Sequence, residues 1–204
     1  MTEAERQERR AQWNQRHRDR EIESDGPDAT LVAQVAGLSP KRALDVACGS
    51  GTNAVWLASA GWRVTGVDWS AAGLKKARAR ATRAGVAVAW IEADLLDWTP
   101  PPAAFELVTA LYLHLVPAER RIVYAAVARA VAPGGHLLVI GHDRSHDGPG
   151  PEPERLFTAA ELGEEIRAAM PDMVIDEALV EPRSPESGPG PVDAVLRMTR
   201  TPLG

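Results

Sequence analysis

The chain has 204 residues, 45% of them hydrophobic and 25% charged, the profile of one folded domain and not of a disordered polymer. Its formal net charge of −5 offers no basic excess to hold a polyanion, so nucleic acid is not an expected partner. The single cysteine, Cys48, excludes an intramolecular disulfide framework and a cysteine-cluster metal site, and it fits a cytoplasmic protein.

Residues 1–29 read as an N-terminal arm ahead of a main domain over 30–204. The stretch Met1–Asp25 alternates charge (Glu3, Glu5, Arg6, Glu8, Arg9, Arg10) and predicts a polar helix whose only large apolar residue is Trp13. Two uses fit it, a lid over a bound cofactor or a solvated tail. No run there resembles a signal peptide, and none in the chain approaches the roughly 20 apolar residues of a membrane-spanning helix. Short apolar runs then alternate with helical patterns. Strands are expected at Arg42–Ala47, Arg63–Val67, Ala87–Ala93, Phe105–Leu111 and His136–Gly141, and helices at Thr52–Ala60, Ala71–Ala84 and Ala118–Ala132. Leu95–Ala104 carries Pro100, Pro101 and Pro102 and reads as a loop, as does His142–Pro153. Thr158 and Glu161 stand in capping-box register at the start of another helix. The last two apolar runs, Val174–Val180 and Val192–Met198, flank the turn Pro182–Pro191 too closely for a crossover and must pair antiparallel. The expected class is α/β: a mostly parallel sheet with helices on both faces and a terminal antiparallel hairpin.

The strongest local signal is Ala43-Leu-Asp-Val-Ala-Cys-Gly-Ser-Gly-Thr52, a strand, a tight glycine turn and a helix start. In such a turn backbone N–H groups meet a nucleotide-like ligand, and Gly49 and Gly51 would let the main chain approach it closely. Asp68 ends the next strand, 17 residues after Gly51, where a carboxylate can accept hydrogen bonds from both ribose hydroxyls. A dinucleotide fingerprint requires a third glycine, and none follows at the right offset; Asn53 and Ala54 stand there instead. Asp45 would also repel a pyrophosphate but suits a ligand bearing an amino group or a sulfonium. These residues favour S-adenosyl-L-methionine over NAD.

Taken together, these segments resemble the class I S-adenosylmethionine-dependent methyltransferases, whose fold is Rossmann-like. Asp45–Gly51 is similar to their first motif and Asp68 to the acid ending their second strand. Glu92-Ala-Asp94-Leu95 is similar to their adenine-contacting segment, Phe105–Leu111 to their fourth strand, and Ala132-Pro-Gly-Gly-His136 to the turn into the fifth. Trp13-Asn-Gln-Arg-His-Arg18 resembles the lead-in of the small-molecule branch that includes tellurite-resistance and thiopurine methyltransferases. The resemblance implies a cofactor set of Asp45, Ala47, Gly49, Gly51, Asn53, Asp68, Trp69, Asp94 and Leu95, with Trp13 contributed by the arm. Two positions depart from the pattern: Ala47 replaces the first glycine of the motif, and the acid of the fourth strand is Glu106.

With three short segments left over for substrate recognition, the expected acceptor is a small molecule: a thiol, a chalcogen oxyanion or another metabolite. Candidate catalytic residues lie at the carboxyl ends of strands four and five, where this fold class holds its ligands. His114 reads as a proton acceptor or as a structural histidine, Tyr112 as pocket lining or packing. His142 and Asp143 are neighbours that a strand would point to opposite faces. No metal ligand set is evident. Two other functions compete, a non-catalytic S-adenosylmethionine-binding or scaffold protein and an NAD-dependent oxidoreductase; the oligomeric state is unreadable.

Overall fold

A computed structural model describes residues 2–19, 26–182 and 192–202; most of the expected turn Pro182–Pro191 and the end of the arm lie outside them. The chain divides into two units, Met1–Trp98 and Thr99–Gly204.

The first unit opens with α1 (Glu3–Asp19) and α2 (Ala29–Val35), followed by β1 (Arg42–Val46), α3 (Thr52–Ser59), β2 (Arg63–Asp68), α4 (Ala71–Ala84) and β3 (Val88–Glu92). Its strands run parallel in the order β3-β2-β1. Ala43, Leu44, Asp45 and Val46 are all buried, which explains why this strand reads as an uninterrupted apolar run around one acid. Helix α4 matches its expected bounds: Ser70 caps its N-terminus by accepting the Gly73 N–H, and Gly85 ends it in the left-handed conformation. Helix α2 was not expected. Its signals are Asp28, whose side chain accepts the Leu31 N–H at 3.0 Å, and the buried pair Leu31 and Val35 one turn apart.

The second unit contains β4 (Phe105–Leu111), α5 (Pro117–Ala130), β5 (Val131–His142), a single 3₁₀ turn at Pro153–Arg155, α6 (Ala159–Ala169), β6 (Met173–Pro182) and β7 (Val192–Arg200). β4 and β5 are parallel, while β7 is antiparallel to both β5 and β6, the expected terminal hairpin. β5 starts five residues earlier than the sequence suggests. The pairing with β4 shifts register between Phe105 and Leu107, so the Pro133-Gly134-Gly135 stretch is absorbed into the strand as an irregularity. The Thr158–Glu161 capping box forms as expected. Tyr124, Phe157, Leu137, Leu138, Ile140, Leu162 and Ile166 are fully buried and make up this unit's core. Among the described residues no helix is long and apolar enough to cross a membrane, and no cluster of side chains is arranged to hold a metal ion.

Candidate functional site

In the first unit the carboxyl ends of β1 and β2 carry the glycine loop. The loop is tightly bent: Ala47, Gly49 and Gly51 all have positive φ, at 55°, 54° and 76°. Ala47 therefore holds a left-handed conformation despite its Cβ, which costs on the order of 1–2 kcal/mol. The glycines differ from expectation in what they accommodate. A Cβ at Gly51 would lie 2.7 Å from both the Ala77 Cβ and the Trp90 ring, so this glycine lets α4 and β3 close against the loop. A Cβ at Gly49 would meet the His17 ring of α1 at 3.3 Å. Sequence spacing could not reveal either neighbour, since both come from other elements.

Asp68 is buried at the end of β2. One carboxylate oxygen accepts the Gly49 N–H at 2.8 Å and the other accepts the Ser70 N–H at 2.7 Å. Burial raises its pKa above the ordinary aspartate range, while these backbone donors and the nearby His17 partly oppose the rise. Asp68 thus fixes the turn. The Cys48 thiol is pushed well above its usual range by desolvation and by the carboxylates of Asp45 and Asp68, so it is held protonated and fits a packing residue. Asn53 is engaged with the backbone: its Oδ1 accepts the Asp28 N–H at 3.0 Å. Trp69 and Leu95 are half-buried beside Asp68 and Asp94 in sequence, and Asp94 Oδ1 accepts the Leu96 N–H at 2.9 Å.

Helix α1 packs on α4, and four of its side chains, one or nearly one turn apart, reach the strand ends of this unit. Arg6 meets Asp97 at 3.0 Å and Asp94 at 3.5 Å; Arg10 pairs with Glu92. Asn14 Oδ1 accepts both the Ser70 hydroxyl at 2.9 Å and the Ala72 N–H at 3.0 Å, and His17 lies against Gly49 and Gly73. Trp13, expected among the cofactor residues, is 37% exposed and packs against His17 with the Arg16 guanidinium 5.0 Å from its ring centroid. The polar stripe, not the tryptophan, fastens the arm.

The second unit gathers Tyr112, His114 and His142 into one cluster. The Tyr112 hydroxyl donates to Asp193 Oδ2 at 2.8 Å, and His142 Nδ1 lies 3.1 Å from Asp193 Oδ1. His114 Nε2 accepts the backbone N–H of His142 at 3.0 Å, and the two rings stack with centroids 4.7 Å apart. His146 stacks on the other side of His142, at 4.2 Å. Asp143 is not the partner of His142: its Oδ1 accepts the Ser145 N–H at 2.9 Å and the Ser145 hydroxyl at 2.6 Å. The sequence reading missed Asp193, which stands 51 residues away on β7. Its one visible signal is that it is an acid directly ahead of the apolar run Ala194–Leu196.

Residues 43–135 match the methyltransferase-domain family. The ubiquinone biosynthesis O-methyltransferase of Alkalilimnicola ehrlichii is 42% identical over 112 residues, covering 52% of this chain and 44% of that protein. Its counterpart from Pectobacterium carotovorum is 38% identical over 110 residues, covering 53% and 46%. The chain therefore spans less than half the length of these curated relatives. An S-adenosylmethionine-dependent methyltransferase structure from Mesorhizobium loti superposes with a TM-score of 0.69 at 18% identity, over 84% of this chain and 96% of that one. The Burkholderia thailandensis 1,6-didemethyltoxoflavin-N1-methyltransferase superposes at 0.63 and 24%, covering 85% and 76%. Over residues 43–135 the chain is similar to the methyltransferase-domain family, and its fold is the Rossmann-like one of the superposed methyltransferase structures.

Proposed function

We propose that this chain, with its methyltransferase domain at residues 43–135, transfers a methyl group from S-adenosylmethionine to a small-molecule acceptor. The observation that carries the reading is Asp68: a buried carboxylate at the end of β2, tied by its own oxygens to the glycine loop and to the start of α4. Each of those oxygens keeps a further lone pair for a ribose hydroxyl. Asp45, also buried ahead of the loop, supports a cofactor with a cationic amino acid end over one with a pyrophosphate. In this reading the cofactor is held by Asp45, Ala47, Gly49, Gly51, Asn53, Asp68, Trp69, Asp94 and Leu95. Residues 1–29 act as a lid, with Trp13 at the cofactor's edge.

The acceptor is handled by Tyr112, His114 and His142. Its small size is supported by the small-molecule methyltransferase among the superposed structures, and the acidic net charge of −5 argues against nucleic acid. The lead-in Trp13–Arg18 supports the small-molecule branch with tellurite-resistance and thiopurine methyltransferases, whereas the curated relatives favour an oxygen acceptor. The lone cysteine supports a cytoplasmic setting.

Methyl transfer from a sulfonium is an in-line displacement, so much of the rate comes from holding donor and acceptor aligned. Calorimetry with S-adenosylmethionine, S-adenosylhomocysteine and NAD tests the cofactor. The two adenosyl ligands are expected to bind and NAD is not. Binding of NAD with no response to S-adenosylhomocysteine would reverse the assignment to an oxidoreductase.

A further inference from the structure

We infer that Asn14 of the arm is a positioning residue of the cofactor site, holding Ser70 and, through Ser70, the Asp68 carboxylate in place for the ribose. This rests on the cofactor reading above, in which Asp68 accepts the ribose hydroxyls. It adds to the lid: one turn of α1 is a fixed support of the site and not only a cover.

The inward face of α1 is polar. Arg6, Arg9, Asn14 and His17 are its half-buried residues, and every other residue of the helix is exposed. A surface helix usually docks by an apolar stripe, so this one is held by what its polar groups bond. Asn14 Oδ1 accepts the Ser70 hydroxyl at 2.9 Å and the Ala72 N–H at 3.0 Å. Since a backbone N–H can only donate, the amide atom facing it is the oxygen.

Those two donors belong to the start of α4. The first N–H groups of a helix have no partner within it and need capping. Ser70 takes the Gly73 N–H on its hydroxyl oxygen at 3.1 Å, and Asn14 takes the Ala72 N–H from 58 residues away. Asn14 is thus a second cap, and by accepting the Ser70 hydroxyl proton it also fixes the orientation of the first cap. Ser70 is fully buried, and its own N–H donates to Asp68 Oδ1 at 2.7 Å. The other Asp68 oxygen accepts the Gly49 N–H at 2.8 Å. One line of hydrogen bonds therefore runs from Asn14 through Ser70 and Asp68 to the glycine loop. Packing follows the same line. A Cβ at Gly73 would lie 3.0 Å from the Gly49 carbonyl oxygen and 3.2 Å from the His17 ring, which places the α4 start directly against the loop with α1 beside both. A shift of the cap is passed to the carboxylate and the loop together.

The test uses the full chain with Asn14→Ala, Asn14→Asp and Arg10→Ala. Amide hydrogen exchange is read without ligand, and affinity is read by calorimetry with S-adenosylhomocysteine. In the free chain, exchange at Ala72 and Gly73 is expected to rise about five- to tenfold in Asn14→Ala. Asn14→Asp keeps an acceptor oxygen and should restore most of the protection. Arg10→Ala removes the exposed pair with Glu92, loosens the arm without touching Ser70, and should raise exchange at those two amides by less than twofold. Affinity is expected to fall about three- to tenfold in Asn14→Ala. Because that loss runs through the carboxylate, Asn14→Ala combined with Asp68→Asn should bind no more weakly than Asp68→Asn alone. A full additional loss in the double variant overturns the inference and leaves Asn14 as part of a cover; so does unchanged exchange at Ala72 and Gly73 in Asn14→Ala. If Asn14→Ala does not fold, Asn14→Gln, which displaces the carbonyl by one methylene, replaces it with the same criteria. Failure of the wild type to bind S-adenosylhomocysteine would overturn the cofactor reading instead, and exchange in the free chain keeps that result separate.

Discussion

Replacing Gly51 by alanine separates two costs that the structure combines at this residue. Gly51 sits at φ 76°, where an L side chain is strained by about 1–2 kcal/mol. The added Cβ would also lie 2.7 Å from Ala77 Cβ and from the Trp90 ring. Trp90 is half-buried, whereas Ala77 is fully buried within α4 and moves only if the helix does. Overpacking of this kind costs about 1–3 kcal/mol, and the loss of glycine's unfolded-state entropy returns about 0.5–1. The net expectation is a loss of about 2–4 kcal/mol. Gly85→Ala isolates the conformational cost, because Gly85 has φ 66° with nothing within 4 Å of its added Cβ; about 1 kcal/mol is expected. Gly66→Ala isolates the clash, because its Cβ would lie 2.6 Å from Trp90 with no left-handed φ, and Trp90→Leu should relieve much of it. Urea denaturation of the four variants reads these differences at a common slope. A loss in Gly51→Ala no greater than in Gly85→Ala would refute the claim that this glycine serves packing between the loop, α4 and β3.

Asp68→Ala is expected to weaken S-adenosylmethionine binding by about 2–4 kcal/mol and also to lower stability, since the Gly49 and Ser70 N–H groups lose their acceptor; calorimetry and urea denaturation read the two effects separately. Because burial raises the Asp68 pKa, wild-type cofactor affinity should start to fall at a pH above the ordinary aspartate range as acid protonates the carboxylate, and Asp68→Asn should flatten that dependence. His136 is held below its usual pKa by burial, with its Nδ1 2.9 Å from Thr199 Oγ1, so the unfolded chain binds its proton first on acidification. Its contribution to stability should therefore be lost as pH falls through about 6.5, and His136→Gln should remove that step from the pH dependence of the urea midpoint. The arm is fastened by exposed ion pairs such as Arg10–Glu92, so hydrogen exchange in α1 should accelerate in about 0.5 M salt and slow when S-adenosylhomocysteine binds.

What the sequence disclosed is what depends on nearby residues. Helix α4 was legible through its helical pattern over Ala71–Ala84, and the Thr158–Glu161 box and the terminal hairpin for the same reason, since period, cap and turn length are all local. The site was legible only in part. The strand–glycine turn–helix arrangement ending in Asp68 was legible, but the neighbours of the glycine positions, Ala77, Trp90 and His17, arrive from α4, β3 and α1, which no spacing within the loop encodes. For His142 the sequence showed only that the adjacent Asp143 would point to the opposite face; the acid it meets, Asp193, is delivered by the antiparallel return of β7 from 51 residues away. The arm's own periodicity was visible in Arg6, Arg10 and Asn14. What it meets was not legible, because the receiving Asp94, Asp97, Glu92 and capped start of α4 lie far along the chain.

The measurement that bears most directly on the proposed activity is acceptor-dependent formation of S-adenosylhomocysteine. The chain is incubated with S-adenosylmethionine carrying a labelled methyl group and with small phenols, amines and thiols in turn. One S-adenosylhomocysteine should form for each labelled methyl recovered in product. Tight binding of S-adenosylmethionine with no acceptor-dependent S-adenosylhomocysteine across the series would contradict the account and leave a cofactor-binding protein without transferase activity.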